Sequence, residues 1–278
     1  MEKTKLKKIF YQYDAFLIDQ FGVLIDDRGA YEGAVDAFNA IHDRSKSALV
    51  LTNSGKRANF SVTRLERLGF AVSIDEVLSS GEVARVLLGD RLRYRSGNRT
   101  RVWVHPHCYQ DWPLGGLNVD LVKSIEDADL IVLVATRNES MTLLDYRTLL
   151  RPSALRKTPC LCVNPDEKKI INGEISFSSG AVAQLYKEMG GPVEWIGKPY
   201  PLIYQHALQR LTHIPKNRIL CIGDSLTQDV KGGRAFGIDT ALVRTGILSK
   251  LSDAELLENC RQNDLMPDYI LPSFTLIG

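Results

Sequence analysis

The feature that most constrains the fold of this chain is a series of short apolar runs, each ended by polar residues. Apolar runs without polar alternation are typical of strands covered on both faces, as in a parallel sheet. Segments with helical periodicity separate many of them; in one, Val62, Leu65 and Leu68 recur three residues apart. The pattern predicts an α/β protein. The predicted strands are 15–19, 48–52, 102–105, 130–135, 160–163, 193–196, 219–222 and 240–243, and the predicted helices are 31–43, 56–68, 200–213 and 226–236.

Composition narrows the class of protein. The 278 residues are 44% hydrophobic and 24% charged, enough for one large or two ordinary globular domains. The formal net charge of +2 gives no argument for nucleic acid or a membrane surface as partner. No apolar run has the length of a signal peptide or a membrane span, so we expect a cytoplasmic protein.

The middle of the chain has its own alternation of strands and helices. Small and turn-forming residues flank it at 79–81 and 178–180. We therefore predict a core domain from residues 1–80 and 182–278, with a smaller α/β domain inserted at 81–181.

Polar side chains follow several of the predicted strands. Asp19 and Thr52 each end a strand, Lys198 lies just past another, and Asp224 ends a strand that Asp229 follows five residues later. Ligands of open α/β sheets bind beyond the carboxyl ends of the strands. If these strands are neighbours, the five side chains converge on one pocket.

That set of side chains suits a metal ion and a phosphoryl group. Two carboxylates about 4 Å apart repel by roughly 4 kcal/mol at an effective dielectric of 20, so they need a cation. Ligation by Asp oxygens alone favours Mg²⁺. Thr52, Lys198 and the N–H groups of Asn53 and Ser54, predicted at a helix start, are the donors that an anionic phosphoryl group requires.

Each residue alone also has a structural interpretation. Asp19 and the Thr52-Asn53-Ser54 segment could cap helices, Lys198 could be a solvated turn lysine, and the two later aspartates could respond to a helix dipole. The four strand ends together favour a functional site.

Four ordered motifs resemble those of the haloacid dehalogenase (HAD) superfamily. They are Asp19-Gln20-Phe21-Gly22-Val23-Leu24, Leu51-Thr52-Asn53-Ser54, Gly197-Lys198-Pro199 and Gly223-Asp224-Ser225-Leu226-Thr227-Gln228-Asp229. Asn164-Pro165-Asp166 resembles a signature of class IIA, whose α/β cap is inserted between the second and third motifs. The resemblance implies a Rossmann-like, three-layer core with a parallel sheet, an inserted cap that selects the substrate, and phosphoryl transfer through an aspartyl-phosphate.

The resemblance also implies a role for each motif residue. Asp19 would be the nucleophile, and Thr52 and Lys198 would hold the transferring oxygens. The implied Mg²⁺ ligands are Asp19, the backbone carbonyl of Phe21, Asp224 and Asp229. The implied substrate and phosphate contacts are Thr52, Asn53, Ser54, Lys198, Asn164 and Asp166.

Phe21 departs from the family pattern, because most phosphatases of the superfamily carry a second Asp there as general acid and base. A benzyl ring transfers no proton, so we expect slow turnover unless another group substitutes, and we expect the ring to pack beside the pocket. The candidate substitutes are Asp26, Asp27, His105 and His107.

The leading hypothesis is a Mg²⁺-dependent phosphatase for a small phosphorylated metabolite, for example a sugar phosphate. One alternative is a phosphometabolite-binding or regulatory protein that has lost turnover. A dehalogenase is more distant, since Asp224 and Asp229 would be unexplained in a metal-free site. A nucleic-acid module built on Arg91, Arg93, Arg95, Arg99 and Arg101 is also distant, and the sequence leaves monomer or homo-oligomer open.

Overall fold

The computed structural model describes residues 2–93, 99–105, 113–138, 140–171 and 174–277. These residues form two compact units. The first comprises Met1–Thr52, Ala58–Leu78 and Lys198–Gly278, and the second comprises Asn53–Arg57 and Ser79–Gly197. No helix in these ranges is long and apolar enough to cross a membrane.

Strands and helices alternate along most of the described chain. The strands are β1 (Glu2–Lys3), β2 (Ala15–Ile18), β3 (Ser47–Thr52), β4 (Val77–Ser79), β5 (Thr100–His105), β6 (Val119–Leu121), β7 (Leu130–Leu133), β8 (Cys160–Cys162), β9 (Lys168–Ile171), β10 (Glu174–Phe177), β11 (Val193–Trp195), β12 (Ile219–Gly223), β13 (Asp239–Val243) and β14 (Tyr269–Leu271). The helices are α1 (Leu6–Ile9), α2 (Ala34–Asp43), α3 (Ala58–Arg67), α4 (Ser80–Arg93), α5 (Leu143–Leu155), α6 (Ser179–Glu188), α7 (Pro201–Arg210), α8 (Lys231–Ala235) and α9 (Asp253–Gln262).

A seven-stranded sheet organises the first unit, in the order β1-β14-β13-β12-β2-β3-β4. Its central strands β12, β2 and β3 are parallel neighbours. Alternate strand residues enter different cores: Phe16 and Val243 pack in one apolar cluster, whereas Leu242 packs with Leu256 in another. The sheet is therefore covered on both faces, as the unbroken apolar runs predicted.

The second unit is built on a five-stranded sheet in the order β11-β8-β7-β5-β6, with every pair parallel. Tyr146 of α5 and Tyr186 of α6 are fully buried beside Ile131 and Leu133 of β7. A separate antiparallel pair, β9 with β10, completes its strands in the described residues.

The α/β class and all eight predicted strands are confirmed, but one strand belongs to another sheet. Residues 193–196 fall within the predicted core range 182–278. In the structure, β11 pairs with β8, Val193 opposite Cys160, so this stretch is part of the second unit. Strand pairing between segments distant in sequence is not encoded in either segment alone.

The segment after β3 also differs from the prediction. Asn53 and Ser54 were expected at a helix start, but α3 begins at Ala58. Residues 53–57 instead bond to the start of α4: Gly81 N–H donates to the Ser54 carbonyl at 3.0 Å, and Ser79 Oγ donates to the Lys56 carbonyl at 2.6 Å. These bonds take the place of helical ones and satisfy the backbone there.

Candidate active site

Three adjacent strands of the first unit end at one level. Ile18 pairs with Val50 on one side and with Ile222 on the other. In this register Asp19 is level with Leu51 and Gly223, so Thr52 and Asp224 each lie one residue farther along. Parallel strands therefore bring these polar ends to the same edge of the sheet, as the sequence predicted.

Three carboxylates and one ammonium meet at that edge. One carboxylate oxygen from each of Asp19, Asp224 and Asp229 lies within 4.8 Å of the others. Lys198 Nζ donates to Oδ1 of Asp19 at 2.6 Å and to Oδ1 of Asp229 at 2.7 Å. The Lys198 side chain is 1% exposed, so this ammonium is held between carboxylates away from bulk water.

Two glycines make room for the Asp224 carboxylate. Gly22 has a φ of +86°, and a Cβ there would lie 2.1 Å from Oδ2 of Asp224. Gly246 approaches the same oxygen beside Gly22: a Cβ there would lie 1.9 Å from Oδ2 of Asp224 and 2.8 Å from the Gly22 Cα. The N–H of Ile247 donates to that oxygen at 2.8 Å. The carboxylate is therefore held against the backbone of two glycines and by one backbone N–H.

Asp229 is positioned by an unusual helical turn. Leu226–Val230 forms a π-helix, a wide turn that is often found at functional sites. Ser225 N–H donates to Oδ2 of Asp229 at 3.2 Å, which leaves Oδ1 to accept from Lys198. Gly223 has no Cβ, and one would lie 2.0 Å from the carboxyl carbon of Asp229.

The acids repel one another in a dry environment. Burial, opposed by Lys198 and reinforced by Asp229, raises the pKa of Asp19 to about 7. Burial, with Asp19 and Asp229, raises the pKa of Asp224 well above its usual value. Burial alone would lower the pKa of Lys198, but Asp19 and Asp229 reverse this and raise it, so the lysine stays charged.

The donor set fits a hard divalent cation. Asp19, Asp224 and Asp229 offer only oxygen ligands, and their mutual repulsion is a charge imbalance that a cation relieves. Lys198 supplies one positive charge against three carboxylates, so it does not complete the neutralisation. These three residues would hold such a cation, and their role as metal ligands stays a prediction.

The Phe21 ring, which we expected to pack beside the pocket, lies outside the buried core. Its side chain is 43% exposed, and the guanidinium of Arg64 lies over the ring, 4.6 Å from the centroid. The backbone turns here, since Gly22 N–H bonds to the Ile25 carbonyl at 2.9 Å. This turn directs the ring away from the apolar cluster that contains Val23 and Leu24.

The candidate substitutes for a general acid have other contacts. Asp26 accepts N–H groups of Arg28 and Gly29 and pairs with the Arg28 side chain; burial raises its pKa, but these contacts more than reverse this and lower it. Such an acid is a poor proton donor near neutral pH. Asp27 is exposed. His105 lies in the second unit, where its Nε2 is 2.6 Å from Tyr146 Oη. His107 lies outside the described residues.

Four other predicted contacts lie in the second unit. The Asn53 side-chain amide donates to Oδ1 of Asp166 at 2.8 Å, and Oδ1 of Asn164 accepts the Asp166 N–H at 2.9 Å. Ser54 Oγ accepts the Lys56 N–H at 3.3 Å. The bond between Asn53 and Asp166 joins residues 53–57 to the segment after β8. Their roles in substrate binding stay predictions.

Part of the arginine cluster is used in ion pairs. Arg91 makes a bidentate pair with Glu194, both distances 2.6 Å, and Arg101 pairs with Asp129 at 2.8 Å. Arg99 lies 3.5 Å from Asp120. The side chains of residues 93–98 lie outside the described part of the structure. Paired guanidinium groups are less available to phosphate, which weakens the nucleic-acid hypothesis.

Sequence reasoning missed the loop after β13 and the arginine beside Phe21. Gly246 and Ile247 contact Asp224, and Thr245 Oγ1 donates to the Gly22 carbonyl. The rule that found Asp19 and Thr52, applied to the end of β13, would have identified this loop. Arg64 carries no comparable sequence signal.

Comparisons with known proteins show which family this chain is similar to. A family model described as haloacid dehalogenase-like hydrolase matches residues 16–110, and one described as HAD-hydrolase-like matches residues 195–276. The phospholysine phosphohistidine inorganic pyrophosphate phosphatase of Xenopus laevis is 26% identical over 258 residues, covering 84% of this chain and 83% of that protein. The acid sugar phosphatase of Staphylococcus epidermidis is 24% identical over 267 residues, covering 92% and 93%.

A solved structure shows the same fold along the whole chain. It is a hydrolase of the haloacid dehalogenase-like family from Brucella suis 1330, with a TM-score of 0.81 and 27% identity over 98% of this chain and 99% of that one. The two family models contain the four motifs that carried the resemblance. The chain belongs to the haloacid dehalogenase superfamily and is a hydrolase of that family.

Proposed function

We propose that this hydrolase is a Mg²⁺-dependent phosphatase that acts on a small phosphorylated metabolite, such as a sugar phosphate, through an aspartyl-phosphate on Asp19. The observation that carries the proposal is the buried Lys198 ammonium shared by Asp19 and Asp229, with Asp224 beside them. The phosphatase names of the relatives in Xenopus laevis and Staphylococcus epidermidis support a phosphatase reaction.

Asp19 is held for attack through one of its oxygens. Oδ1 accepts from Lys198 and from the Gln20 N–H at 2.7 Å, which leaves the other oxygen for the phosphorus atom. In the first step this oxygen bonds to phosphorus, the bond to the leaving oxygen breaks, and the leaving oxygen takes up a proton. Water then attacks the same phosphorus and loses a proton, releasing phosphate and the Asp19 carboxylate.

Positive charge and N–H donors provide the rest. Mg²⁺ held by Asp19, Asp224, Asp229 and the Phe21 carbonyl would neutralise charge on the phosphoryl oxygens. Thr52 and Lys198 would hold the transferring oxygens, and the Asn53 and Ser54 N–H groups would add donors.

The weak point of this site is proton transfer. Phe21 stands where a general acid is expected and supplies none, and general acid or base catalysis contributes about 10² to 10⁴ in rate. We therefore expect slow turnover of esters whose leaving group is a poor one, and faster turnover of aryl esters, whose leaving oxygen needs no proton.

Phe21 also favours a second candidate, a phosphometabolite-binding or regulatory protein with little turnover. Such a protein would keep the metal and anion contacts without catalysis. The dehalogenase alternative is less well supported, because three clustered carboxylates suit a metal site. The assignment of substrate selection to the insert at 81–181, the cytoplasmic location and the oligomeric state stay predictions.

The test is phosphate release from a panel of alkyl and aryl phosphate esters, with Mg²⁺ and with a chelator. We expect release only with Mg²⁺, and none in Asp19→Asn. Asp36→Asn, an exposed change on α2, is the matched control and should behave as the wild type. Activity that survives in Asp19→Asn would refute the nucleophile. Binding without turnover of any ester would favour the second candidate.

A further inference from the structure

The pair formed by Phe21 and Arg64 lies beside the carboxylate cluster of the first unit. Phe21 follows Asp19 by two residues, so their Cα atoms are at most about 7 Å apart. The next residue, Gly22, packs against Asp224. The half-exposed ring therefore lies at the rim of the cluster, close to Asp19 and next to the glycine that packs against Asp224.

Helix α3 holds Arg64 over that ring through two contacts. Ser61 Oγ donates to Oε1 of the buried Gln20 at 3.0 Å, and Arg64 Nη2 donates to the Asp26 carbonyl at 3.0 Å. Ser61 and Arg64 are three residues apart, so they lie on one face of the helix. This face contacts the loop that carries Phe21 both before the ring, at Gln20, and after it, at Asp26. The two contacts hold the guanidinium at the rim.

In the part of the chain that the structure describes, no carboxylate pairs with the Arg64 guanidinium. Within the described residues, its contacts are the Asp26 carbonyl and the face of Phe21, and neither carries a negative charge. The Asp26 carboxylate accepts hydrogen bonds from the backbone N–H groups of Arg28 and Gly29, and it forms an ion pair with the Arg28 guanidinium. A guanidinium has five N–H donors, and one bond to a carbonyl leaves most of them available.

We propose that Arg64, held on the Phe21 ring, is a specificity residue that binds a second anionic group on the leaving portion of the substrate. The preferred esters would carry a carboxylate or a second phosphate in addition to the phosphoryl group that is transferred. This inference rests on the proposed function, in which the phosphoryl group bonds to Asp19 and the leaving portion points out over the rim. Arg recognises both anions through paired N–H donors.

Matched esters test the proposal. 3-Phosphoglycerate carries a carboxylate where glycerol 3-phosphate carries a hydroxymethyl group, and fructose 1,6-bisphosphate adds a phosphate to fructose 6-phosphate. In at least one pair, kcat/KM of the ester with the additional anionic group, relative to that of the ester without it, should fall about 10- to 100-fold in Arg64→Met. The fall in this ratio should come mainly from a higher KM, and it should be smaller in Arg64→Lys. The two pairs show whether a carboxylate or a phosphate is the anion bound.

The control is Arg67→Met, which removes an exposed arginine from the same helix and should leave both ratios unchanged. Equal loss of activity toward charged and neutral esters in Arg64→Met would overturn the proposal, since that is the result expected of a purely structural contact. An unchanged ratio in both pairs would overturn it too.

A binding measurement separates this inference from the proposed function. In Asp19→Asn, the affinity for the ester with the additional anionic group should exceed that for its partner without it in at least one pair, and the added change Arg64→Met should abolish this difference. If the wild type hydrolyses nothing but this difference appears, the phosphatase proposal fails and the anion site stands. If the wild type is active and the difference is absent in both pairs, the anion site fails alone.

Discussion

Lys198 Nζ lies 2.7 Å from Oδ1 of Asp229, and both side chains are almost completely buried. A buried charge that loses its partner is strongly destabilising, whereas a pair removed together is tolerated better. The lysine is thus a structural counter-ion as well as a proposed ligand of the phosphoryl group.

We expect Lys198→Met to abolish activity and to lower the free energy of unfolding by about 3 to 5 kcal/mol. The double change Lys198→Met with Asp229→Asn should be less destabilised than Lys198→Met alone, because one unpaired carboxylate is gone. Urea unfolding of the wild type and variants in chelator measures this. Arg218→Met, which removes an exposed pair with Asp14, is the control and should cost much less. A double variant with a lower free energy of unfolding than Lys198→Met alone would contradict the counter-ion role.

Gly22→Ala should inactivate the enzyme, because the added Cβ would displace the Asp224 carboxylate. Gly237→Ala is a matched control: its φ of +68° is also positive, but a Cβ there meets nothing within 4 Å. Backbone strain alone costs about 1 to 2 kcal/mol at such a position, so both variants should lose that stability. Only Gly22→Ala should also lose more than about 10²-fold in kcat/KM. Equal activity of the two variants would contradict the role of Gly22 in making room for the Asp224 carboxylate.

Mg²⁺ should stabilise the folded protein through the carboxylate cluster. A ligand at about 100 times its Kd adds roughly 2.7 kcal/mol of stability. We expect the melting temperature to rise with Mg²⁺ concentration in the wild type, and the rise to vanish in Asp224→Asn. Asp253→Asn changes an exposed acid that pairs with Lys3, and it should keep the rise. A rise that persists in Asp224→Asn would place the bound metal elsewhere.

Restoring an acid at position 21 should help less than its chemistry suggests. An Asp there would lie near the Arg64 guanidinium, which is 4.6 Å from the Phe21 ring centroid, and a nearby cation lowers the pKa of a carboxyl group. Phe21→Asp should therefore raise kcat for glycerol 3-phosphate, a neutral poor leaving group, by less than about 10-fold. Phe21→Asp with Arg64→Met should raise it further. Aryl esters should respond little in either variant. A full gain in the single variant would show that Arg64 does not hold the new acid ionised.

The ion pair at the opposite end of β2 predicts a pH dependence of stability. Hydrogen bonds from Arg218 lower the pKa of Asp14. A carboxyl whose pKa is lower when folded stabilises the protein above its unfolded pKa of about 3.9, and this contribution is lost as pH falls through the folded value. The stability difference between wild type and Asp14→Asn should therefore be constant from pH 7 to about 5 and shrink below about 4. Glu66→Gln on α3 is the control, and its difference should stay small throughout.

The sequence predicted the acids of the site because each one ends or follows a buried strand. Asp19, Thr52 and Asp224 lie on neighbouring strands, where a local pattern and one topological rule are enough. The same rule also identified Lys198, although its premise did not hold there. The strand before Lys198, β11, lies in the other sheet. Its place between Asp19 and Asp229 depends on where the chain re-enters the first unit.

The exposed ring of Phe21 and its contact with Arg64 were not predictable in this way. An apolar residue between polar ones suggests packing, and only the turn at Gly22 directs the ring outward. Arg64 lies more than 40 residues after Phe21 in the chain. Contacts between a cation and a ring leave no periodic pattern in a sequence.

The boundaries of the two units have a practical consequence for domain exchange between relatives. The chain leaves the first unit directly after Thr52 and returns to it finally at Lys198. A chimaera that carries the second unit of another family member would therefore have its outer junctions beside two residues proposed to hold phosphate. Such grafts should keep the peptide bonds 52–53 and 197–198 of a single parent, with the exchanged segment beginning and ending farther inside.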